Sequence, residues 1–320
     1  MMKISVLGCG RWGSFLAWYL DNIGHNVKLW GLENGETFKI LKDTGKNEYV
    51  TLSAGIELTA DLEYAASMSD VLIISINSQG LREFIKTVTP FKISNKKFVL
   101  CMKGIEDHTG KRLSEILVES GIDKNKIAVW VGPGHIQDFT KGIPSCMVID
   151  SLNKELIVEL VSFFKSDLIK FYYGNDLIGS EIGAAAKNVM GIAAGMLDGF
   201  DYATLKGPLM SRGTKEVARL IKALGGSELS AYGLCHLGDY EATLFSRHSN
   251  NRMFGEMFVK GQKFEKLSEG VKTSSALMVL CKKANVEMPI TNTVERIVSG
   301  KLDAKGGLLE LFNREQKFEF

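Results

Sequence analysis

Along the first half of the chain, short apolar runs alternate with stretches of helical spacing; past Glu181 only the helical spacing continues. Lys3–Leu7 is a β-branched apolar run that predicts a buried strand ending at Gly8. Ser14–Asn22 puts Phe15, Leu16, Tyr19 and Leu20 on one helical face, Gly24 closes it, and Asn26–Trp30 predicts a second strand. Asp70–Ile76 is almost wholly apolar, as a parallel strand covered on both faces must be. An amphipathic helix over Gln79–Val88 follows, then strands at Lys97–Met102, Ala128–Val131 and Ser145–Asp150, the last before a helix near Lys154–Ser166. In the second half, helices are expected at Pro208–Leu224, Val271–Ala284 and Thr291–Ser299, closed by Gly225-Gly226, Asn285 and Gly300. Tyr232–Asp239 reads as irregular, and the polar run Glu241–Gly261 as a solvated loop. The pattern predicts an α/β fold: a doubly wound parallel sheet over residues 1–178, then an all-helical domain over 179–320.

The first strand–turn–helix carries Gly8-Cys-Gly-Arg-Trp-Gly13. In that setting Gly-x-Gly-x-x-Gly is the dinucleotide fingerprint of a Rossmann domain. One glycine makes the tight turn, one admits the pyrophosphate and one lets helix pack on strand, while the helix N-terminus offers N–H donors. Gly8, Gly10, Arg11, Trp12 and Gly13 are therefore candidate cofactor residues. Glu33 lies twenty residues beyond Gly13, where an acid accepts from the adenosine ribose hydroxyls. No arginine for a 2′-phosphate occurs in Gly31-Leu-Glu-Asn34, so NAD is favoured, with NADP left open by Lys39 and Lys42.

Composition narrows the partners. A net charge of +2 lacks the basic excess that nucleic-acid binding uses. No apolar run reaches the roughly 18 residues of a spanning helix, and the N-terminus has no signal-peptide core, so a cytoplasmic protein without membrane insertion is expected. The five cysteines are scattered and never form Cys-x-x-Cys, which argues for reduced thiols and no metal.

Glu181-Ile-Gly-Ala-Ala-Ala-Lys-Asn188 opens the helical half. Read as a helix, it puts Gly183, Lys187, Gly191 and Gly195 in one row, four residues apart. Each interior glycine costs about 1 kcal/mol relative to alanine. The row is explained either by close helix packing or by a ligand approaching Lys187. Lys103-Gly-Ile105 ends a strand at the sheet edge where ligands of such folds bind.

These pieces, with Gly24–Trp30, Gly132-Pro133, Arg212-Gly213, Leu237-Gly-Asp239, Phe254-Gly255 and Glu269-Gly-Val271, resemble the soluble NAD(P)-dependent glycerol-3-phosphate dehydrogenase family in order and spacing over nearly the whole chain. The resemblance implies reversible reduction of dihydroxyacetone phosphate, supply of phospholipid precursors, and a homodimer with a small phosphorylated substrate. It implies Lys187 as acid/base, Asp239 as its assistant, Lys103 near substrate and nicotinamide, and Asn188 and Thr243 lining the site. Gly132, Gly134, Ser249, Asn250 and Asn251 join the substrate wall, and Ile136, Asn250 and Glu269 the cofactor wall. Ketone reduction needs a proton delivered to oxygen, which a lysine can do when burial and a neighbouring cation such as Lys103 lower its pKa. His135, His236 and His248 compete for that role, but each reads as an ordinary surface histidine.

The chain also departs from the family. Asn250 stands where the phosphate-gripping arginine is usual, Asn77 replaces a proline, and Val131-Gly-Pro-Gly-His-Ile136 lacks two hydroxyls. Asparagine cannot make the charged bidentate contact of arginine. Arg247 or Arg252 then holds the phosphate, or the substrate is another small hydroxy or keto compound. A non-catalytic NAD-binding redox sensor is the third alternative.

Overall fold

Eight strands form one sheet: β1 (Lys3–Leu7), β2 (Asn26–Trp30), β3 (Glu57–Thr59), β4 (Val71–Ile74), β5 (Lys97–Leu100), β6 (Ile127–Val131), β7 (Ser145–Ser151) and β8 (Ile169–Tyr173). Their order is β3-β2-β1-β4-β5-β6-β7-β8, and every neighbouring pair is parallel except β6 with β7. The computed structural model describes residues 1–316, 318 and 319. They divide into two units, Met1–Lys103 with Arg112–Glu181, and Gly104–Lys111 with Ile182–Phe320.

The sheet belongs to the first unit, with helices α1 (Arg11–Asn22), α2 (Glu36–Thr44), α3 (Leu62–Ser67), α4 (Leu81–Val88), α5 (Leu113–Glu119), α6 (Ile136–Phe139) and α7 (Lys154–Phe164). β4 and β6 are buried at every residue, which is why they read as unbroken apolar runs. Trp130 on β6 is fully buried, with ring centroids 6.0 Å from Tyr19, 5.4 Å from Phe164 and 4.9 Å from Phe171. Its indole N–H points at the Met147 sulfur, 3.1 Å away. One side chain thus joins α1, α7 and β8, and truncating such a residue costs about 3–5 kcal/mol. β1 is flanked by β2 on one side and β4 on the other, the switch point at which doubly wound sheets bind nucleotides.

Helix α8 (Leu177–Gly199) begins in the first unit and continues into the second. There it is joined by α9 (Lys206–Ala223), α10 (Asn250–Val259), α11 (Glu269–Ala284), α12 (Pro289–Val298) and α13 (Ala304–Phe312). The segment Gly104–Lys111 packs on α11: Lys272 reaches Asp107 at 3.0 Å, Lys283 donates to the Thr109 carbonyl at 2.7 Å, and Gly110, at φ +69°, lies against Leu280.

The architecture is the expected one, with three local corrections. The sheet does not end at β7, because β8 adds an edge strand whose Ile169 and Phe171 turn inward. β3 is a three-residue strand for which the sequence shows no run. The polar stretch read as a loop contains α10, because Ser249 caps it by accepting from the Arg252 N–H at 3.3 Å.

Candidate active site

The first unit carries a turn shaped for a dinucleotide. Gly8 is at φ +119°, and a Cβ there would stand 2.2 Å from the Ser75 carbonyl oxygen. At Gly13 a Cβ would stand 1.8 Å from the Gly8 carbonyl oxygen, so helix and strand close on each other only through glycine. At Gly10 nothing lies within 4 Å of that position. Gly10 caps α1 without a side-chain bond, and the first turn holds no acid, so no side chain of that turn competes for its N–H donors. These residues fit a pyrophosphate. Glu33 is exposed just past β2, able to accept from ribose hydroxyls. Arg11 is already engaged, donating to Gln137 Oε1 at 3.1 Å with its guanidinium 5.1 Å from the Tyr49 ring. Trp12 is half-buried, with its ring tilted against Phe15 at a centroid distance of 5.0 Å.

Beyond β5, the Lys103 ammonium donates to the Gly132 carbonyl at 2.7 Å. Gly132 has φ +129°, and Gly134 touches the Phe139 ring so closely that a Cβ would stand 2.4 Å from it. Ile136 opens α6 and is buried.

In the second unit three elements converge. α8 supplies Lys187, a 3-10 turn over Leu237–Asp239 supplies Asp239, and a π-helical turn over Glu241–Phe245 supplies Thr243. The Lys187 ammonium lies 2.5 Å from Asp239 Oδ2 and donates to Thr243 Oγ1 at 2.9 Å. Lys187 is 6% exposed and Asp239 1%. A buried lysine and carboxylate in contact hold each other's charge where water cannot, and removing either strands the other. Asn188 follows on α8 and is buried.

His236 corrects the expectation of a surface histidine: it is fully buried. Its Nδ1 lies 2.9 Å from the Gly183 carbonyl and its Nε2 2.6 Å from the Tyr240 hydroxyl. A carbonyl can only accept, so Nδ1 carries the hydrogen and Nε2 accepts from Tyr240. Burial lowers the imidazole pKa to about 4, with Lys187 acting in the same direction, so the ring is neutral at ordinary pH. The Asp239 N–H donates to the His236 carbonyl at 3.0 Å. His236 thereby ties the Asp239 turn to α8 one helical turn before Lys187. Nothing in the sequence beyond its nearness to Asp239 signals this.

The glycine row is packing, not a ligand channel. A Cβ on Gly183 would stand 3.1 Å from His236 Cβ, on Gly191 2.9 Å from Thr243 Cγ2, and on Gly195 1.9 Å from the Arg252 carbonyl oxygen. Gly255 on α10 answers Gly195, since its Cβ would stand 2.1 Å from the Ile192 carbonyl oxygen.

The polar segment holds the other candidates. Arg252 is not available for a substrate phosphate: its guanidinium pairs with Asp198, with Glu256 at 3.1 Å, and with the Ser246 carbonyl at 3.1 Å. Arg247 is exposed and has no polar partner among the described residues. Asn251 Oδ1 accepts from Gly270 N–H and Ser268 hydroxyl, each at 2.9 Å, at the start of α11, which leaves its amide N–H donors as the groups that can meet a substrate. Asn250 donates to the Leu267 carbonyl at 3.2 Å. Ser249 serves as the α10 cap, and Glu269 sits half-buried in the first turn of α11.

Models of the NAD-dependent glycerol-3-phosphate dehydrogenase N-terminus and C-terminus match residues 3–157 and 176–308. The chain belongs to that family. It is an NAD(P)-dependent dehydrogenase acting on a CH–OH group, with NAD or NADP as cofactor. It is 34% identical to the glycerol-3-phosphate dehydrogenase [NAD(P)+] of Fusobacterium nucleatum over 100% of this chain and 99% of that one. With the enzyme of the same name from Prosthecochloris aestuarii it shares 33% over 99% and 100%. The crystal structure of glycerol-3-phosphate dehydrogenase from Coxiella burnetii superposes with a TM-score of 0.89 at 25% identity, covering 98% of this chain and 99% of that one. Among the described residues no helix is long and apolar enough to cross a membrane.

Proposed function

We propose that the chain interconverts dihydroxyacetone phosphate and sn-glycerol 3-phosphate, with Lys187 as the proton donor and acceptor. The observation that carries this is the buried Lys187–Asp239–Thr243 cluster. When bound, the reduced cofactor supplies the hydride. Lys187 gives a proton from Nζ to the carbonyl oxygen as it becomes an alcohol, and takes one back in the reverse direction. Asp239 holds the ammonium in place, and the Thr243 hydroxyl accepts one of its hydrogens so that another is left for substrate. His236 fixes the Asp239 turn. Arg247 is assigned to the substrate phosphate, supported by its exposure and by the commitment of Arg252 elsewhere. Lys103 as a second cation near substrate, and supply of phospholipid precursors by a cytoplasmic homodimer, are supported by the family resemblance. Glu33 supports NAD over NADP.

A second reading, a different small keto substrate, draws on Asn250, whose amide is spent on the Leu267 carbonyl where the family's arginine is usual. NADH oxidation at 340 nm (a property of the cofactor) with dihydroxyacetone phosphate, dihydroxyacetone and 2-oxo acids separates the two. The expected result is turnover of the phosphate ester alone, with KM raised about tenfold or more by Arg247→Ala. Equal turnover of the unphosphorylated ketone contradicts it, and tight NADH binding without turnover of any ketone would leave only the redox-sensor alternative.

A further inference from the structure

One carboxylate near the end of α8, Asp198, organises the segment between Thr243 and Arg247. Lys206, the buried first residue of α9, brings its ammonium to 2.7 Å from Asp198 and donates to the Leu244 carbonyl at 3.0 Å. The same ammonium lies 5.0 Å from the Phe245 ring centroid. Arg252 also pairs with Asp198, sharing Oδ2 with Lys206, and donates through Nε to the Ser246 carbonyl at 3.1 Å. Three consecutive residues, Leu244, Phe245 and Ser246, are thus gripped by two cations that share one anion. The segment begins at Thr243, which accepts from Lys187, and leads into Arg247.

We propose that Asp198 is a positioning residue for substrate: through Lys206 and Arg252 it fixes Leu244–Ser246, and so sets where Arg247 stands relative to Thr243. The proposal rests on the assignment of Arg247 to the substrate phosphate. Its physical basis is the cost of a buried unpaired cation. Without Asp198, Lys206 keeps only a carbonyl and a ring, so its ammonium swings toward water and releases the Leu244 carbonyl. Arg252 retains Glu256 and turns toward it, loosening its hold on Ser246. Every residue of this network belongs to the second unit and none to the nucleotide turn, so cofactor binding is expected to stay as it is.

The test is a kinetic double-mutant cycle on the full-length enzyme with dihydroxyacetone phosphate and NADH, using Asp198→Asn, Arg247→Ala and both together. Asp198→Asn is expected to raise KM for the phosphate ester about tenfold while kcat changes about threefold at most, with NADH Kd unchanged. In the Arg247→Ala background the same substitution is expected to change KM about twofold at most, because the group it positions is gone. If Asp198→Asn folds and leaves KM alone while Arg247→Ala raises it, the positioning role is wrong. An equal KM effect in both backgrounds overturns it too, since Asp198 then acts without Arg247. If Arg247→Ala itself leaves KM unchanged, the phosphate assignment is what has failed. Should Asp198→Asn not fold, Arg252→Lys replaces it: the charge for Asp198 is kept, but a lysine cannot also reach Ser246 and Glu256. A several-fold KM rise confined to the Arg247 background supports the proposal, and an unchanged KM overturns it.

Discussion

Glycine is used in opposite ways at Gly10 in the first unit and along α8 in the second. In the first, Gly10 faces open space, and the missing side chain leaves room for something the chain does not itself contain. In the second, Gly183, Gly191, Gly195 and Gly255 face the chain's own atoms: Gly183 and Gly191 make room for the side chains of His236 and Thr243, and Gly195 and Gly255 let α8 and α10 meet backbone to backbone. Spacing alone does not distinguish the uses, since both are short patterns of glycine beside a helix. What separates them is what a Cβ would strike. Lys187, the proposed proton carrier, lies in the second kind of surroundings, where tight packing buries it with Asp239 and away from water. Close packing around Lys187 and openness around Gly10 match the proposed division of labour, in which one unit fixes a proton and the other admits a cofactor.

The sharpest way to break this comparison is to add the same methyl group in both units. Gly195→Ala forces a Cβ against the Arg252 carbonyl, and overpacking of this kind is expected to cost about 3 kcal/mol, seen as a lower midpoint in denaturant melts. A variant as stable as the parent would show that the α8–α10 crossing has slack. The next effect is set by pH and belongs to the second unit. His236 is held neutral with a pKa of about 4 against an ordinary 6.5, so the unfolded chain binds its proton first as pH falls. The stability this residue contributes is complete above pH 6.5 and is lost as pH drops toward 4, about 2 kcal/mol of it by pH 5. His236→Asn is expected to flatten the melting profile between pH 7 and 5 by that amount; an unchanged slope would mean the imidazole is not buried neutral. The smallest effect is in the first unit. Gly10→Ala meets nothing in the protein, so folding is expected to be unaffected while NADH Kd rises about tenfold, a loss of about 1.4 kcal/mol. Fluorescence titration of NADH reads it, and equal damage to folding would erase the distinction between the two glycine sets.

Most of the first unit was legible because the strands of a buried sheet are rich in apolar residues, and β1, β2 and β4 to β7 each carry a short apolar run. β8 escaped because an edge strand needs only one buried face, leaving Lys170, Tyr172 and Tyr173 outward. α10 escaped because its polar residues suggested solvent, whereas much of that polarity is spent internally, on Asp198, Glu256 and the start of α11. The candidate site was legible only as separate motifs. That Lys187, Asp239 and Thr243 share one buried cluster depends on contacts spanning more than fifty residues, and no local pattern encodes them. The same distance hid the use of Arg252: its partner Asp198 is 54 residues away. His236 was misjudged because a histidine in a glycine-rich turn looks exposed, and only the missing Cβ of Gly183 makes room to bury it.

In the proposed mechanism Lys187 carries the proton and takes no part in holding the cofactor. Lys187→Ala, assayed for turnover of dihydroxyacetone phosphate and for NADH affinity on one preparation, with and without added methylamine, tests this most directly. The account predicts a fall in kcat of about a thousandfold, an unchanged NADH Kd, and partial recovery of turnover with rising amine concentration. Turnover that survives the substitution without any amine would contradict it.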